Sequence, residues 1–337
     1  MNRISSTIEL AQYGQYRNLP LIATSIAPGI WKWYTGATFA AGEATPMRKS
    51  QTLLLERPAR GALTRTGGFL TGFSHTLQPY IGCRFGCSYC YVSQSNVHRF
   101  FNGGLDWGNY VYPRVGIADR LESELEKMKR RDTLERCAIF MSSSTDPYQG
   151  AERTYKLTRN CLSVLEKMPP GLLVIQTRSP LAARDFDILT ALGERCLLNF
   201  TIETGREDVR RTLTPHCPSI RQRLRTASQA RDRGIATQLT VSPCLPYSSV
   251  DAFGKLLLEV SDRVIVDSFV AGDGGGGKRT ARTGIPAMFA RSGWEDWRSQ
   301  EAAMNLYCWL SERIGDRAGW SQEGFTRQAS QVTCGVH

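Results

Sequence analysis

The sequence predicts an α/β protein, a partial (β/α)6 barrel of the TIM type with an extension at each end. Two observations predict this fold class. From Ser74 onward, short apolar runs alternate with amphipathic segments of helical period, and six such units follow one another. Parallel strands joined by crossover helices produce this alternation, and six units close partway into a barrel. The carboxyl ends of such strands form the functional face of the fold.

The six predicted strands are apolar segments rich in β-branched residues, at 75–81, 137–143, 172–178, 196–203, 236–243 and 263–270. Three connecting segments place apolar residues three to four positions apart, which is typical of helices packed on a sheet. These segments lie at 117–131, 154–168 and 219–234. In the last of them, Ser219 is expected to cap the helix and Gly234 to end it.

The chain is expected to divide at two points. Residues 1–70 lack strand–helix alternation and form an N-terminal extension, residues 71–284 form the core, and residues 285–337 form a helical C-terminal extension. No apolar run is long enough to cross a bilayer. The opening residues, MNRISSTIEL, lack the basic and then apolar pattern of a secretory leader. We therefore expect a cytoplasmic protein with no membrane partner.

Three cysteines stand close together in YIGCRFGCSYCYV, at Cys83, Cys87 and Cys90. A disulfide would leave one of the three thiols unpaired. A structural zinc site needs four ligands, which commonly come from two cysteine pairs. The odd number suits a [4Fe–4S] cluster, in which three thiolates leave one iron open to an external ligand. The other cysteines stand singly, and most of them are expected to be buried apolar residues; they are Cys137, Cys161, Cys196, Cys217, Cys244, Cys308 and Cys334.

This spacing, with Tyr89 before the last cysteine, resembles the radical SAM superfamily. Further segments are similar to its spore photoproduct lyase-like branch: LQPYIGCRFGCSYCYV, SSSTDPYQGAERTYKLTRNCLSVL, QTRSPLAARDFDIL and RRTLTPHCPSIRQRLRTASQARDRGIATQLTVSPCLP. The resemblance implies a [4Fe–4S] cluster and S-adenosylmethionine (SAM) as cofactors, with the reduced cluster cleaving SAM to a 5′-deoxyadenosyl radical. It also implies a flavodoxin- or ferredoxin-type electron donor.

The resemblance further implies SAM contacts at the ends of the strands. The loop after the second strand would hold the amino group of SAM, and a cation at the end of the third strand would bind its carboxylate. The fourth strand would contact the ribose, and the residue after the last cysteine would contact the adenine. The residues at those positions are, in that order, Ser142, Ser144 and Asp146; Arg178; Thr201 and Glu203; and Tyr91. The structural alternatives are a turn closed by Asp146 and ordinary barrel packing.

One departure from the family bears on the reaction. The spore enzyme carries a cysteine after its second strand that returns a hydrogen atom to thymine, whereas the stretch here reads MSSSTDPYQ. A serine hydroxyl is a poorer hydrogen-atom donor than a thiol, which argues against direct repair of thymine dimers. Tyr148 and Cys244 are the candidate donors, and a buried structural thiol is the alternative for Cys244.

The net charge of +11 favours an anionic partner such as DNA or RNA. The densest basic region, residues 206–233, is either part of that surface or a solvated helix face, and the glycine run GDGGGGKR is either a phosphate-binding loop or a plain connection. Two enzyme classes therefore stay open: one acting on a nucleic-acid base, and one acting on a small molecule or peptide. A nucleic-acid-binding protein with a purely structural cluster is disfavoured, because such a cluster normally takes four protein ligands.

Overall fold

The structure is a computed structural model that describes residues 52–272 and 274–334, together with the backbone of residues 21–27 and 30–35. The chain divides into two compact units, residues 1–49 and 50–337. In the first unit, strands β1 (Leu21–Ala27) and β2 (Ile30–Thr35) form an antiparallel pair. Most of the predicted N-terminal extension therefore lies outside the described residues.

The second unit is built on a sheet of eight strands in the order β14-β13-β12-β11-β10-β9-β6-β5, next to which runs a smaller sheet around β8. The strands are β3 (Leu53–Leu54), β4 (Arg57–Pro58), β5 (Leu63–Arg65), β6 (His75–Leu77), β7 (Tyr80–Ile81), β8 (Tyr110–Val115), β9 (Ala138–Met141), β10 (Leu172–Thr177), β11 (Cys196–Thr201), β12 (Thr237–Val241), β13 (Val264–Val266) and β14 (Ala318–Trp320). From β6 to β14 every neighbouring pair of the large sheet is parallel.

Helices connect the parallel strands, because consecutive parallel strands need a crossover connection. They are α1 (Asn96–Phe101), α2 (Ile117–Arg130), α3 (Glu152–Tyr155), α4 (Leu157–Lys167), α5 (Phe186–Leu192), α6 (Glu207–Leu213), α7 (Ile220–Asp232), α8 (Val250–Leu258), α9 (Phe269–Gly272), α10 (Lys278–Ala281), α11 (Ile285–Ser292), α12 (Glu301–Ile314) and α13 (Ser321–Cys334). None of the helices in the described ranges is long and apolar enough to span a membrane.

The core lies between the sheet and these helices. Strands β9, β11 and β12 are buried along their whole length, which is typical of parallel strands covered on both faces. Helix α2 buries Ile117, Leu121 and Leu125 completely, so the apolar face predicted from its sequence is the packed face. Ser219 caps α7 with a reciprocal capping box, and Gly234 follows the helix at a φ of 75°.

The predicted fold class is confirmed: the six predicted strands form one parallel sheet with helical crossovers. Two strands of the large sheet were missed, because β5 pairs antiparallel at one edge and β14 extends the sheet at the other. The strands β3, β4 and β8 of the smaller sheet were not predicted either. Segment 75–81 divides into β6 and β7, and in segment 263–270 the strand ends at Val266. The predicted domain boundaries at residues 70 and 284 stay predictions, although β5 and β14 show that both flanking segments contribute to the sheet.

Candidate active site around the cysteine loop

The cysteine loop, residues 82–90, begins directly after β7 and depends on glycine at its first position. Gly82 has a φ of 81°, a left-handed conformation that residues with a Cβ rarely adopt. A Cβ there would also lie 2.4 Å from the carbonyl oxygen of Tyr110. The segment after β9 fixes the same turn, since Thr145 Oγ1 and Gln149 Nε2 donate to the Gly82 carbonyl at 2.5 and 3.2 Å.

The cysteine loop is anchored on a second side by helix α6. The backbone N–H and the hydroxyl of Ser88 both donate to the carbonyl oxygen of Leu213, at 3.1 and 2.8 Å. Within the loop, the N–H of Cys90 donates to the carbonyl of Cys87 at 3.0 Å. The loop is therefore held by the elements on both sides of it before any cofactor is considered.

The three loop cysteines open onto one cavity of about 470 Å³, the site cavity, at the carboxyl ends of the central strands. Six of the seven residues predicted to contact SAM line the same cavity, namely Tyr91, Ser142, Ser144, Asp146, Arg178 and Thr201. Gly272, Gly274 and Arg279 of the glycine-rich segment also line it. Residues far apart in the chain are thus brought together at the face that the sequence predicts.

Burial controls the protonation of the loop thiols. It raises the pKa of Cys83 well above the usual range and that of Cys90 to about 12. Cys87 differs, because its Sγ lies 3.7 Å from that of Cys217 and this thiol contact lowers its pKa. Nowhere in the described ranges do three cysteine, histidine or carboxylate side chains converge as metal ligands, so Cys83, Cys87 and Cys90 line the cavity without forming a closed cage.

Ser142 has the features of a ligand-binding residue. Its φ of 73° is left-handed, a conformation that is uncommon for a residue with a side chain. Its hydroxyl is buried and lacks a hydrogen-bond partner, yet it lines the site cavity. A buried polar atom without a partner costs about 1–3 kcal/mol. A ligand in the cavity that accepts from or donates to this hydroxyl would remove that cost.

Asp146 closes the loop that follows β9, as the structural alternative expected. Its carboxylate accepts from the N–H of Tyr148 at 2.9 Å, the hydroxyl of Thr177 at 2.9 Å and the N–H of Arg178 at 2.8 Å. Burial raises its pKa despite these three donors. The same carboxylate also lines the cavity, so it can hold the loop and face a cation at once.

Arg178 is oriented by a buried ion network. Its Nε donates to Glu203 Oε1 at 2.6 Å, and Arg223 Nη1 donates to Glu203 Oε2 at 2.6 Å. The hydroxyl of Tyr89 donates to the same carboxylate. Burial opposes ionisation of Glu203, but the guanidinium groups of Arg223 and Arg178 lower its pKa to about 2. Glu203 does not line the cavity, and its partners are protein side chains.

Among the residues of this site that sequence reasoning missed are two that do not line the cavity, and the first is Arg223, which was taken as part of the basic segment 206–233. It is fully buried, and its Nε and Nη2 have no partner. The signal was present in the sequence, because Arg223 lies on the same face of α7 as Ile220, Leu224 and Ala227. An arginine on an apolar helix face predicts a buried ion pair.

The second missed residue is Cys217, which was counted among the isolated buried thiols. It follows α6, and Arg210 holds its segment by donating from Nη1 to the carbonyls of Thr214 at 3.1 Å and Cys217 at 2.9 Å. Cys217 lies behind Cys87 and does not line the site cavity. No sequence spacing links it to the cysteine loop, since 130 residues separate the two thiols.

The two candidate hydrogen-atom donors lie apart from the site cavity. Cys244 is buried in the main core, and burial raises the pKa of its thiol. Tyr148 lines a different cavity of about 450 Å³, the rear cavity, and its buried hydroxyl has no partner. Neither side chain lines the cavity onto which the three loop cysteines open.

The donor set fits a three-thiolate cluster with an open iron. Three thiols line one cavity, an arginine and a carboxylate line it too, and a buried hydroxyl there lacks a partner. The family comparison agrees, since the model of the radical SAM superfamily matches residues 77–259, more than half of the chain. The chain belongs to the radical SAM superfamily. The matched region contains the cysteine loop and the strands from β9 to β12.

Curated relatives of this radical SAM chain share its central part. An uncharacterized protein of Methanocaldococcus jannaschii is 28% identical over 177 residues, which is 52% of this chain and 62% of that protein. An uncharacterized protein of Mycobacterium tuberculosis is 26% identical over 176 residues, which is 52% of this chain and 50% of that protein. The chain thus spans only about half to three fifths of the length of these relatives.

Solved structures share the fold over a longer stretch. A spore photoproduct lyase variant with a dinucleoside spore photoproduct matches with a TM-score of 0.57 and 14% identity, over 85% of this chain and 87% of that one. A second variant, with bound SAM and the dinucleoside photoproduct, matches with a TM-score of 0.55 and 14% identity, over 80% and 81%. At this identity the likeness shows the fold of the radical SAM chain alone.

Proposed function

We propose that this chain is a radical SAM enzyme that acts on a nucleic-acid base, either to repair or to modify it. Cys83, Cys87 and Cys90 hold a [4Fe–4S] cluster, and SAM occupies the site cavity beside it. When bound and reduced, the cluster supplies the electron that cleaves SAM to a 5′-deoxyadenosyl radical. The single observation that carries the proposal is that these three thiols line one cavity.

The chain's own residues bind and orient SAM. Arg178 presents its guanidinium cation to the methionine carboxylate of SAM. Its ion pair with Glu203, in which Nε lies 2.6 Å from Oε1, fixes the guanidinium in place. Ser142 and Asp146 contact the amino group of SAM. The amino group forms a hydrogen bond with the Ser142 hydroxyl, which otherwise lacks a partner, and an ion pair with the buried Asp146 carboxylate. Glu203 acts through Arg178 as a positioning residue, a change from the ribose contact that the family resemblance implies.

The nucleoside end of SAM has two candidate contacts in the cavity wall. Thr201 ends β11 and accepts a hydrogen bond from Gln176, and both polar side chains line the site cavity, where they would be available to the ribose hydroxyls. Tyr91 donates to the carbonyl of Ser143 at 2.8 Å, which fixes its ring beside the cysteine loop. An aromatic ring held in this way offers adenine a stacking surface.

A nucleic-acid substrate is supported by charge and by the neighbouring fold. The chain carries a net charge of +11, and Arg65 is exposed at the rim of the site cavity. Arg221 and Arg225 are exposed on α7, whereas Arg210 and Arg223 of the same segment are buried in ion pairs. The spore photoproduct lyase structures hold a dinucleoside photoproduct. A target base would leave the stack to enter the cavity.

One observation favours a second candidate, a small molecule or peptide as substrate. The described lining of the site cavity contains no cysteine besides Cys83, Cys87 and Cys90, and the positions after β9 are Ser142 and Ser143. A reaction that returns a hydrogen atom from a thiol therefore has no donor in this wall. Rearrangement or bond formation without such a return needs none.

The test is an anaerobic turnover assay with matched variants. We reconstitute the full chain with iron and sulfide, reduce it with dithionite or with a flavodoxin-type donor, add SAM, and measure 5′-deoxyadenosine by mass spectrometry. Formation is expected in the wild type and in Cys308→Ala, whose cysteine is exposed on α12, and is expected to be lost in Cys87→Ala. Equal formation in all three proteins, or none in any, overturns the proposed activity.

The same assay separates the two substrate classes. Duplex DNA, single-stranded DNA, RNA and a pool of small metabolites are added in turn to the active protein. A rise of at least tenfold in 5′-deoxyadenosine with a nucleic acid, and none with the metabolites, is expected from the first candidate. The reverse result supports the small-molecule or peptide substrate and rejects the nucleic-acid base.

A further inference from the structure

Cys217 and Cys87 form a thiol pair, and the proposed cluster uses only Cys87 of the two. Their sulfur atoms lie 3.7 Å apart, and both side chains are buried and free of disulfide bonds. The resemblance to the family gives Cys87 a role as a cluster ligand and gives Cys217 none. The contact brings a spare thiol against one of the three sulfurs on which the cluster depends.

The chain holds this pair from both sides. On the side of Cys87, Ser88 is tied to the carbonyl of Leu213 by its N–H at 3.1 Å and its hydroxyl at 2.8 Å. On the side of Cys217, the buried Arg210 donates to the carbonyl of Cys217 itself at 2.9 Å. The Nε of Arg210 is in turn paired with Glu207 at 2.6 Å. Backbone and side-chain contacts on each side therefore fix the distance between the two sulfurs.

Small reagents can reach the pair from two directions. Cys217 lines the rear cavity, whose rim carries the exposed side chains of Arg84 and His216. Cys87 lines the site cavity on the other side of the contact. Each of the two cysteines thus borders a cavity from which a small oxidant or reductant can approach its sulfur without unfolding of the chain.

We propose that Cys87 and Cys217 are a redox modification site that closes to a disulfide when the chain is free of its cluster. The oxidant is hydrogen peroxide or a low-molecular-weight disulfide. Two S–H bonds break and one S–S bond forms; the thiols lose two electrons and two protons, and these reduce one hydrogen peroxide to two waters. A dithiol reverses the step by thiol–disulfide exchange through a mixed disulfide.

This modification rests on the proposed function for its consequence. A sulfur held in the disulfide cannot bind iron, so the oxidised chain cannot take up a cluster until a dithiol releases Cys87. The disulfide also keeps Cys87 from the sulfinic and sulfonic states, which are irreversible in most proteins. The disulfide with Cys217 therefore keeps the cluster ligand Cys87 in a state from which a dithiol can regenerate its thiol.

The experiment is peptide mapping of the metal-free full chain after treatment with hydrogen peroxide and alkylation of the remaining thiols. Tryptic cleavage separates the relevant cysteines, because Cys217 lies in peptide 212–221, Cys83 lies in peptide 66–84, and Cys87 and Cys90 share peptide 85–99. The expected product links 85–99 to 212–221 in the wild type. The same product in Cys90→Ala assigns the bond to Cys87.

Two controls accompany the mapping. The linked product is expected to persist in Cys308→Ser, which removes an exposed thiol, and to vanish in Cys217→Ser. A link from peptide 85–99 to peptide 66–84, an internal bond between Cys87 and Cys90, or full alkylation of Cys87 in the treated wild type overturns the proposal. Because the wild-type product is measured directly, the result does not depend on how well any variant folds.

Iron uptake then separates this proposal from the proposed function. The oxidised wild type is expected to take up at least tenfold less iron than the dithiol-treated wild type. If the linked product forms but the dithiol-treated protein also fails to take up iron, the redox site stands and the cluster proposal fails. If the oxidised and the dithiol-treated wild type take up iron equally well, the protective role of Cys217 is rejected.

Discussion

Arg223 donates from Nη1 to a carboxylate oxygen of Glu203 at 2.6 Å, and both side chains are almost wholly removed from solvent. This ion pair joins helix α7 to the end of strand β11, and the other oxygen of Glu203 holds Arg178 at the site cavity. The stability of the barrel and the orientation of an arginine that lines the site cavity therefore depend on one carboxylate. A change at Glu203 must affect both.

Glu203→Gln is expected to lower the free energy of unfolding by about 3–5 kcal/mol, because breaking a buried ion pair leaves its partner's charge uncompensated. Here two guanidinium groups, those of Arg178 and Arg223, lose their anion. Urea unfolding monitored by circular dichroism measures the change. Glu135→Gln is the matched control, since Glu135 is exposed, and it is expected to stay within about 0.5 kcal/mol of the wild type. Equal stabilities of the two variants would contradict the network.

The same carboxylate predicts an acid-dependent loss of stability. Its pKa is lowered from 4.5 in the unfolded chain to about 2 in the folded one, so its stabilising effect is complete above pH 4.5. As the pH falls from 4.5 toward 2, about 3 kcal/mol is lost. Unfolding measured over this range should show a steeper decline for the wild type than for Glu203→Gln. Parallel curves would show that Glu203 is not ionised in the folded protein.

Ser142→Gly separates backbone strain from ligand binding. Glycine adopts the φ of 73° without strain, and the serine hydroxyl has no partner to lose, so the variant is expected to be about 1 kcal/mol more stable. Its affinity for SAM is expected to fall about five- to tenfold, as loss of one hydrogen bond predicts. Thermal unfolding and equilibrium binding to the reconstituted protein measure the two effects. Unchanged affinity would remove Ser142 from the SAM site.

Gly82→Ala tests the backbone geometry of the cysteine loop. Residue 82 has a left-handed backbone conformation, and the added Cβ would lie 2.4 Å from the carbonyl oxygen of Tyr110. The free energy of unfolding is therefore expected to fall by about 3 kcal/mol or more. The cysteine loop must then shift, and the iron content after reconstitution should fall. Gly284→Ala is the control, because a Cβ there meets nothing within 4 Å and its φ is −71°. Full iron content in Gly82→Ala would refute this account of the loop.

Arg221→Gln and Arg225→Gln test the nucleic-acid surface on the exposed face of α7. If each arginine contacts a phosphate, each substitution should reduce the slope of log K against log salt by about 1. Filter binding of single-stranded DNA at several salt concentrations measures the slope. A wild-type protein whose binding to DNA or RNA has no salt dependence would speak against a nucleic-acid substrate.

The sequence allowed the main elements of the fold to be predicted because their signals are local. The strand periodicity, the apolar face of α2 and the cap at Ser219 each lie within one short segment, and each is found in the structure. The strand β14 was missed because Ala-Gly-Trp is too short to show a pattern and is formed by pairing with β13. Tertiary pairing, not local propensity, makes that segment a strand.

The cysteine loop could also be predicted, since three thiols in one short segment are a local signal. Cys217 and Arg223 could not be placed in the same way. The contact of Cys217 with Cys87 depends on how α6 ends against the cysteine loop, and the role of Arg223 depends on the register between α7 and β11. Such contacts follow from packing between elements. The buried contact of Arg223 has one sequence signal, which is its charge on the otherwise apolar face of α7.

The measurement that tests the central claim most directly is electron paramagnetic resonance of the reconstituted, reduced protein before and after addition of SAM. An iron content of about four per chain is predicted, with a cluster signal that changes when SAM binds the open iron. Both the iron and the signal should be lost in Cys90→Ala and retained in Cys308→Ala. A cluster signal that ignores SAM, or one that survives in Cys90→Ala, would contradict a three-cysteine cluster with an open position in the site cavity.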